Sequence, residues 1–104
     1  MSDVYTTGSW RPFPGQEEAF VLAWKEFADW AAELPGAGVA HLARDLRDVE
    51  RFVSFMEWES IEAVRGWKGS PEFKERMGRV QQHIDKFAPT ELEVVASCGT
   101  AASS

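Results

Sequence analysis

The segment 51–58 constrains the fold more than any other part of this sequence. It reads Arg-Phe-Val-Ser-Phe-Met-Glu-Trp, which is rich in the aromatic and β-branched side chains that favour strands. Alternation along a strand places Phe52 and Met56 on one face, and Val53 and Phe55 on the other. A sheet covered on one face only shows apolar residues alternating with polar ones. We therefore expect this strand to be covered on both faces.

Strand and helix patterns follow one another along the chain. Strands are predicted at residues 4–10, 38–46, 51–58 and 91–97. Helices are predicted over 16–34, from Ser60 to Gly69, and from Pro71 to Pro89. The last helix would bury Phe73, Met77, Val80, Ile84 and Phe87. The order β-α-β-β-α-α-β with right-handed crossovers predicts an α+β, ferredoxin-like fold, a four-stranded antiparallel sheet with the helices on one face.

The sheet face opposite the helices is expected to need a cover. Val53 and Phe55 would otherwise belong to an apolar patch of a size that is rare on a monomer. Seven Phe, five Trp and one Tyr also indicate extra burial, in an oligomer or around a ligand, because so short a chain buries only part of its surface. We expect a symmetric dimer in which two sheets pack face to face.

Length and charge restrict the chain further. Its 104 residues predict a single domain over 1–97 and a flexible polar tail over 98–104. Seventeen acidic and 11 basic residues give a net charge of −6, which argues against nucleic acid or an anionic membrane as partner. No apolar run approaches the roughly 20 residues that span a bilayer, and no signal peptide is visible. We expect a cytoplasmic protein whose single cysteine, Cys98, forms no intrachain disulfide.

Two segments resemble a known family. They read Arg-Phe-Val-Ser-Phe-Met-Glu-Trp-Glu-Ser at 51–60 and Trp-Lys-Gly-Ser-Pro-Glu-Phe-Lys at 67–74. Both are similar to the antibiotic biosynthesis monooxygenase (ABM) domain, in which a strand ends in a Trp-Glu-Ser turn and a short helix leads to a Trp and a Phe-Lys pair. The strand order also agrees over residues 3–97. The resemblance implies a homodimer that forms a dimeric α/β barrel, with a pocket between helices and sheet in each subunit.

The resemblance also implies a choice between two chemistries. Some members oxygenate polycyclic aromatic phenols or anthrones with molecular oxygen and without metal or flavin, whereas others bind and cleave haem. The cofactor-free reaction needs a substrate that forms a stabilised carbanion, which passes an electron to oxygen. The protein then removes a proton, excludes water and stabilises the charge that develops.

Individual positions match the family's functional residues only in part. Trp67 matches a pocket tryptophan of both branches. Where haem-cleaving members have a His ligand and a first-strand Asn, this chain has Met77 and Gly8. Where the cofactor-free branch has a Tyr and an Asn, it has Phe73 and Ala63. The resemblance thus implies a substrate pocket lined by Trp67, Phe73 and Met77, without haem cleavage, and oxygenation would need a different base.

Four polar side chains are candidates for the missing chemistry. His83, at the edge of the last predicted helix, and His41, in the second strand, are candidate catalytic bases because histidine titrates near neutral pH. Tyr5 and Arg44 lie on strands and could face the cavity, as a phenol donor and as a cation for an anionic intermediate. Surface placement is the alternative for each of them. Two separated histidines and a distant cysteine make no metal-ligand spacing, so no metal site is expected.

Two functions from different classes stay open. The first is a cofactor-independent monooxygenase acting on a small hydrophobic molecule, aromatic or polyketide-like. The second is a non-catalytic dimer of the same fold that binds a small molecule or serves a stress role. If none of the four polar candidates reaches the cavity beside Trp67, only a binding site remains. Haem binding through Met77 or His83 is a third option.

Overall fold

The computed structural model describes residues 4–99, which form one antiparallel sheet and three helices. The strands are β1 (Val4–Pro12), β2 (Ala37–Arg44), β3 (Phe52–Trp58) and β4 (Ile84–Glu93). The helices are α1 (Glu17–Ala31), α2 (Ile61–Lys68) and α3 (Pro71–Gln81). The strands lie in the order β2-β3-β1-β4. The ferredoxin-like α+β fold predicted from the sequence is confirmed; the tail predicted over 98–104 lies outside the described residues from residue 100 onwards.

The first helix forms where apolar residues recur at steps of three and four. Phe20, Trp24, Phe27 and Ala31 are all buried, and together they place α1 against the sheet. The helix ends at Ala31, three residues before its predicted end at 34. Gly36 then adopts a φ of +84°, which the turn into β2 requires and which favours glycine.

Side-chain caps set the starts of α2 and α3, as the sequence predicts. The Ser60 hydroxyl accepts a hydrogen bond of 3.2 Å from the backbone N–H of Ala63. The Ser70 hydroxyl accepts one of the same length from the N–H of Phe73, and Pro71 occupies the first helical position. None of the helices in the described part of the chain is long and apolar enough to cross a membrane.

The boundary between α3 and β4 differs from the prediction. The helix ends at Gln81 rather than at Pro89, and β4 begins at Ile84 rather than at residue 91. Phe87 lies directly opposite Trp10 of β1, and the two rings stack with their centroids 4.1 Å apart. Pro89 is tolerated inside β4 because this is an edge strand, where a missing N–H need not break a ladder.

The two faces of the sheet differ in their surroundings. On one face the helices enclose a core that includes Trp10, Phe52, Met56 and Trp58. The opposite face, called here the open face, carries no helix. Its side chains include Tyr5, His41, Val53, Phe55 and Leu92. Phe55 is 37% exposed and Leu92 48% exposed, so both large apolar side chains meet solvent in the single chain.

Candidate functional site

A cavity of about 230 Å³ lies between the helices and the sheet. The sheet side of its wall includes Thr6, Gly8, Trp10, Ser54 and Met56. The helix side includes Trp24, Phe27, Ala31, Trp67 and Met77. Most of the wall is aromatic or aliphatic carbon with a few polar groups, which is typical of sites for small organic ligands.

Trp67 is the centre of an aromatic cluster in the cavity wall. Helix α2 begins at the Ser60 cap, so that Val64 and Trp67 fall on its buried side. The centroid of the Trp67 ring lies 4.8 Å from that of Trp58. It lies 5.0 Å from the centroid of Phe73, and those two rings meet edge to face. Such packing holds the indole in one orientation, which a binding site for a flat ligand requires.

The polar atoms next to these rings are paired, with one exception. The indole N–H of Trp58 donates to the Thr6 hydroxyl at 3.1 Å, and that of Trp10 donates to the Ser54 hydroxyl at 2.9 Å. Among the described residues, the buried indole N–H of Trp67 finds no acceptor. A buried donor left unpaired costs about 1–3 kcal/mol.

Neighbouring side chains pack closely around Gly8 in the sheet side of the wall. A Cβ at this position would lie 2.8 Å from Trp10 Nε1, 2.9 Å from a carbon of Phe87 and 3.0 Å from Ser54 Oγ. Those distances are shorter than van der Waals contact, so a side chain here would displace its neighbours. The Asn that haem-cleaving relatives carry at the matching position therefore does not fit this wall.

One end of the cavity carries a charge. Lys68, the last residue of α2, lines the cavity, and its Nζ lies 2.9 Å from the Glu91 carboxylate on β4. Glu91 pairs with Thr6 across the β1–β4 ladder and so belongs to the sheet face that bears the helices. Within the described part of the chain, Lys68 is the one charged residue in the cavity wall.

Three of the sequence-predicted site residues meet in the cavity. Trp67, Phe73 and Met77 all line it, as the family resemblance implies. They come from two helices, because the α2–α3 turn at Gly69 and Ser70 brings the end of one helix beside the start of the next.

Both histidines lie away from the cavity wall. His83 occupies the turn after α3, where its Nδ1 lies 2.9 Å from the side-chain oxygen of Gln16 at the start of α1. His41 lies on the open face, with its ring 5.3 Å from that of Phe55. Neither ring contributes to the cavity.

Tyr5 and Arg44 do not line the cavity either. Tyr5 is opposite Leu92 of β4 and Glu57 of β3, on the open face. The Arg44 guanidinium lies 5.0 Å above the ring of Phe52, a cation–π contact at the end of β2. The structure therefore brings together the apolar members of the predicted site and leaves out its four polar members.

The sequence reasoning missed the polar members of the wall, of which Ser54 and Lys68 are the most informative. Ser54 interrupts the buried positions Phe52, Met56 and Trp58 of β3, and a lone hydroxyl in such a row is a detectable signal. Lys68 had no comparable signal, because a lysine in the last turn of a helix is common on protein surfaces. Only the approach of α2 to β4 gives it a place in the cavity.

The shifted pKa values lie in the β2–β3 connection rather than at the cavity. A hydrogen bond from Arg11 lowers the pKa of the Asp48 carboxyl, assisted by the charge of the same guanidinium. The backbone N–H of Arg47 and the side chain of Arg51 lower the pKa of Asp45. These ion pairs stabilise the hairpin and contribute no charge to the cavity.

The residues present do not fit haem. Met77 and Gly8 stand where the haem-cleaving branch has its His ligand and its Asn, and the space at Gly8 is closed to a side chain. The cavity also falls below the roughly 300–1,000 Å³ typical of pockets for larger ligands. Over residues 4–99, no group of three His, Cys, Asp or Glu side chains is placed to hold a metal ion.

Comparison with known proteins assigns the chain to a family. Residues 4–79 match the model of the antibiotic biosynthesis monooxygenase (ABM) family, so the chain belongs to that family. The assignment agrees with the resemblance seen at 51–60 and 67–74. Among curated protein sequences, none matches the chain significantly.

Solved structures with the same fold are numerous but distant in sequence. SnoaB, a cofactor-independent oxygenase from Streptomyces nogalater, superimposes with a TM-score of 0.82 at 15% identity, covering 93% of this chain and 97% of its own. A protein from Bordetella bronchiseptica, described as an antibiotic biosynthesis monooxygenase, gives 0.80 at 16% identity, covering 92% and 100%. One from Chloroflexus aurantiacus gives 0.74 at 22% identity, covering 94% and 98%. At these identities the likeness shows the fold alone.

Proposed function

We propose that this protein is a monooxygenase that needs no cofactor and oxidises a small aromatic molecule in the cavity beside Trp67. The observation that carries the proposal is the unpaired, buried indole N–H of Trp67 in a wall made mostly of aromatic rings. Membership of the ABM family supports an oxygenase, and so does the similarity to SnoaB.

The cavity suits a reaction in which the substrate itself transfers electrons to oxygen. A CH₂ group activated by a neighbouring carbonyl or phenol loses a proton, and the carbanion gives its electrons to O₂ to form a peroxide at that carbon. Loss of water then leaves a carbonyl, so CH₂ and O₂ become C=O and H₂O. The apolar wall excludes bulk water, and the Trp67 N–H donates to the oxygen on which negative charge develops.

Over residues 4–99, the cavity wall supplies no side chain suited to remove the proton from the substrate. In the described part of the chain, no His, Asp or Glu lines the cavity. The substrate of this enzyme is therefore one acidic enough to lose its proton to water, and the protein receives the anion.

A second function, binding without turnover, has its own supporting observation. None of His41, His83, Tyr5 and Arg44 lines the cavity, and by the criterion drawn from the sequence this favours a binding site. The oxygenase stays the first proposal because the chain belongs to the ABM family and because an acidic substrate needs no base from the wall. The apolar wall alone suffices to hold an aromatic ligand, as in a carrier or a stress-related binding protein. The two functions share the ligand and differ in whether oxygen is consumed.

A homodimer is part of the proposal. Phe55 and Leu92 expose 37% and 48% of their surface on the open face. A second copy of the same sheet would cover these side chains with matching ones, as an isologous contact requires. Burial of an apolar side chain contributes about 1.5–3 kcal/mol.

Oxygen uptake with a panel of one-, two- and three-ring phenols and anthrones tests the oxygenase. We expect uptake of one O₂ per substrate, unaffected by chelators, and one ¹⁸O atom in the product from ¹⁸O₂. Trp67→Phe keeps the ring but removes the N–H donor, and is expected to slow uptake about tenfold or more. Trp30→Phe, a tryptophan outside the cavity wall, is the matched control. Tight binding without uptake would decide for the non-catalytic function.

A further inference from the structure

The Lys68–Glu91 ion pair lies beside the cavity, because Lys68 belongs to its wall. Alternate residues of β4 share a face, and Phe87 and Pro89 both line the cavity. Glu91 is the next residue in that row, and its carboxylate holds the ammonium of Lys68 at 2.9 Å. The pair therefore lies where the aromatic wall meets solvent, adjacent in the chain to Trp67.

This ion pair is easily exchanged for another. The side chains of Lys68 and Glu91 are 29% and 43% exposed. Partly exposed ion pairs contribute little to stability, because water screens them and both side chains lose freedom. Any anion that reaches the Lys68 ammonium from inside the cavity can therefore replace Glu91 at small cost.

The size of the cavity limits the ligand. An apolar cavity of about 150 Å³ takes up benzene. The cavity here measures about 230 Å³, about half as large again, which suits one substituted ring or two fused rings. On this volume we expect a three-ring skeleton to bind less tightly than a two-ring one.

We propose that the cavity takes a one- or two-ring aromatic acid whose anionic oxygen displaces Glu91 from Lys68. The rings pack against the cluster around Trp67, and the anionic oxygen accepts a hydrogen bond from Lys68, which leaves the Trp67 N–H for the reacting oxygen. The proposal rests on the proposed function for the location of the site, and it adds the class of ligand and the residue that selects it. Lys68 supplies the positive charge that Arg44 was expected to bring.

Quenching of tryptophan fluorescence by three probes tests the proposal. The probes are 2-naphthoate, the uncharged 2-naphthamide of the same shape, and anthracene-2-carboxylate with one ring more. We expect 2-naphthoate to bind Lys68→Met about tenfold more weakly than the unaltered chain, since a charge-assisted hydrogen bond is lost. Glu91→Gln frees the ammonium and is expected to tighten its binding severalfold. Lys74→Met, which removes a lysine from the exposed side of α3, is the matched control.

The uncharged probe separates charge recognition from general damage to the fold. 2-Naphthamide is expected to bind all four proteins alike, and anthracene-2-carboxylate is expected to bind at least tenfold more weakly than 2-naphthoate. The proposal is overturned if Lys68→Met leaves the Kd of 2-naphthoate unchanged, if Lys74→Met weakens it equally, or if the three-ring acid binds as well. Lys68-dependent binding without oxygen uptake would refute the oxygenase and support the ligand class. Oxygen uptake with substrates whose binding does not depend on Lys68 would support the oxygenase and refute the ligand class.

Discussion

The indole N–H of Trp10 and the hydroxyl of Ser54 form a 2.9 Å hydrogen bond beneath the cavity, joining β1 to β3 inside the core. Both residues are buried, with Ser54 9% and Trp10 3% exposed. The bond satisfies the Trp10 N–H, which is buried away from water. The same bond keeps the Trp10 ring stacked on Phe87, and so fixes the wall of the cavity on the β4 side.

Ser54→Ala is expected to destabilise the protein by about 1–3 kcal/mol, because it leaves the buried Trp10 N–H unpaired. Urea denaturation measures the change. The double variant with Trp10→Phe removes donor and acceptor together, so its loss should fall short of the sum of the two single losses. An additive result would mean that the hydrogen bond contributes nothing.

Gly8→Ala is expected to cost about 1–3 kcal/mol, since its Cβ would lie within 3.0 Å of three side-chain atoms. It should also weaken binding of any ligand that packs on Trp10. Gly66→Ala is the matched control: this helical glycine has no atom within 4 Å of its Cβ position, and alanine there should stabilise α2 by about 0.5–1 kcal/mol. Equal unfolding midpoints for the two variants would contradict the crowding at Gly8.

Acidification should weaken the link between Arg11 and Asp48. The pKa of Asp48 lies below its ordinary value of 3.8 in the folded chain, so its stabilising effect is present above that pH and disappears as the pH falls through the lowered pKa. Asp48→Asn should therefore lower the urea midpoint at pH 7, and the difference from the unaltered chain should shrink below pH 3.8. Arg11→Gln should follow the same course; a difference that persists at lower pH would refute this assignment.

Leu92→Glu is expected to convert the proposed dimer into a monomer, because it places a charge among the apolar side chains of the open face. Native mass spectrometry at low protein concentration measures the outcome. Leu22→Glu changes an exposed leucine of α1 in the same way and should leave the dimer intact. A monomeric unaltered chain, or equal effects of the two variants, would remove the face-to-face dimer from consideration.

Local signals predicted most of the fold. The Ser60 and Ser70 caps and the strand pattern of β3 each depend on a few neighbouring residues. Their predicted positions are confirmed. The α3–β4 boundary was wrong because Ile84 and Phe87 continue the spacing of the helical stripe. Only pairing with β1, a contact between distant parts of the chain, decides that these residues form a strand.

The sequence predicted cavity residues only where they lie in one continuous segment of the chain. Trp67 and Phe73 lie in the segment that resembles the ABM family, and both reach the cavity. Lys68 gains its position from β4, which lies 23 residues further along the chain at Glu91. Likewise, no local pattern tells that His41 faces away from the helices, because the face depends on the register of β2 against β3.

The two outer strands of the sheet both carry an interruption. On β4 it is Pro89, which can donate no hydrogen bond to a further strand, and on β2 it is the shift of register between Ala37 and Ala40. Irregular edges hinder the strand-by-strand addition by which sheets grow into fibrils. In the dimer proposed above, these edges would therefore offer no regular strand for a third copy to extend.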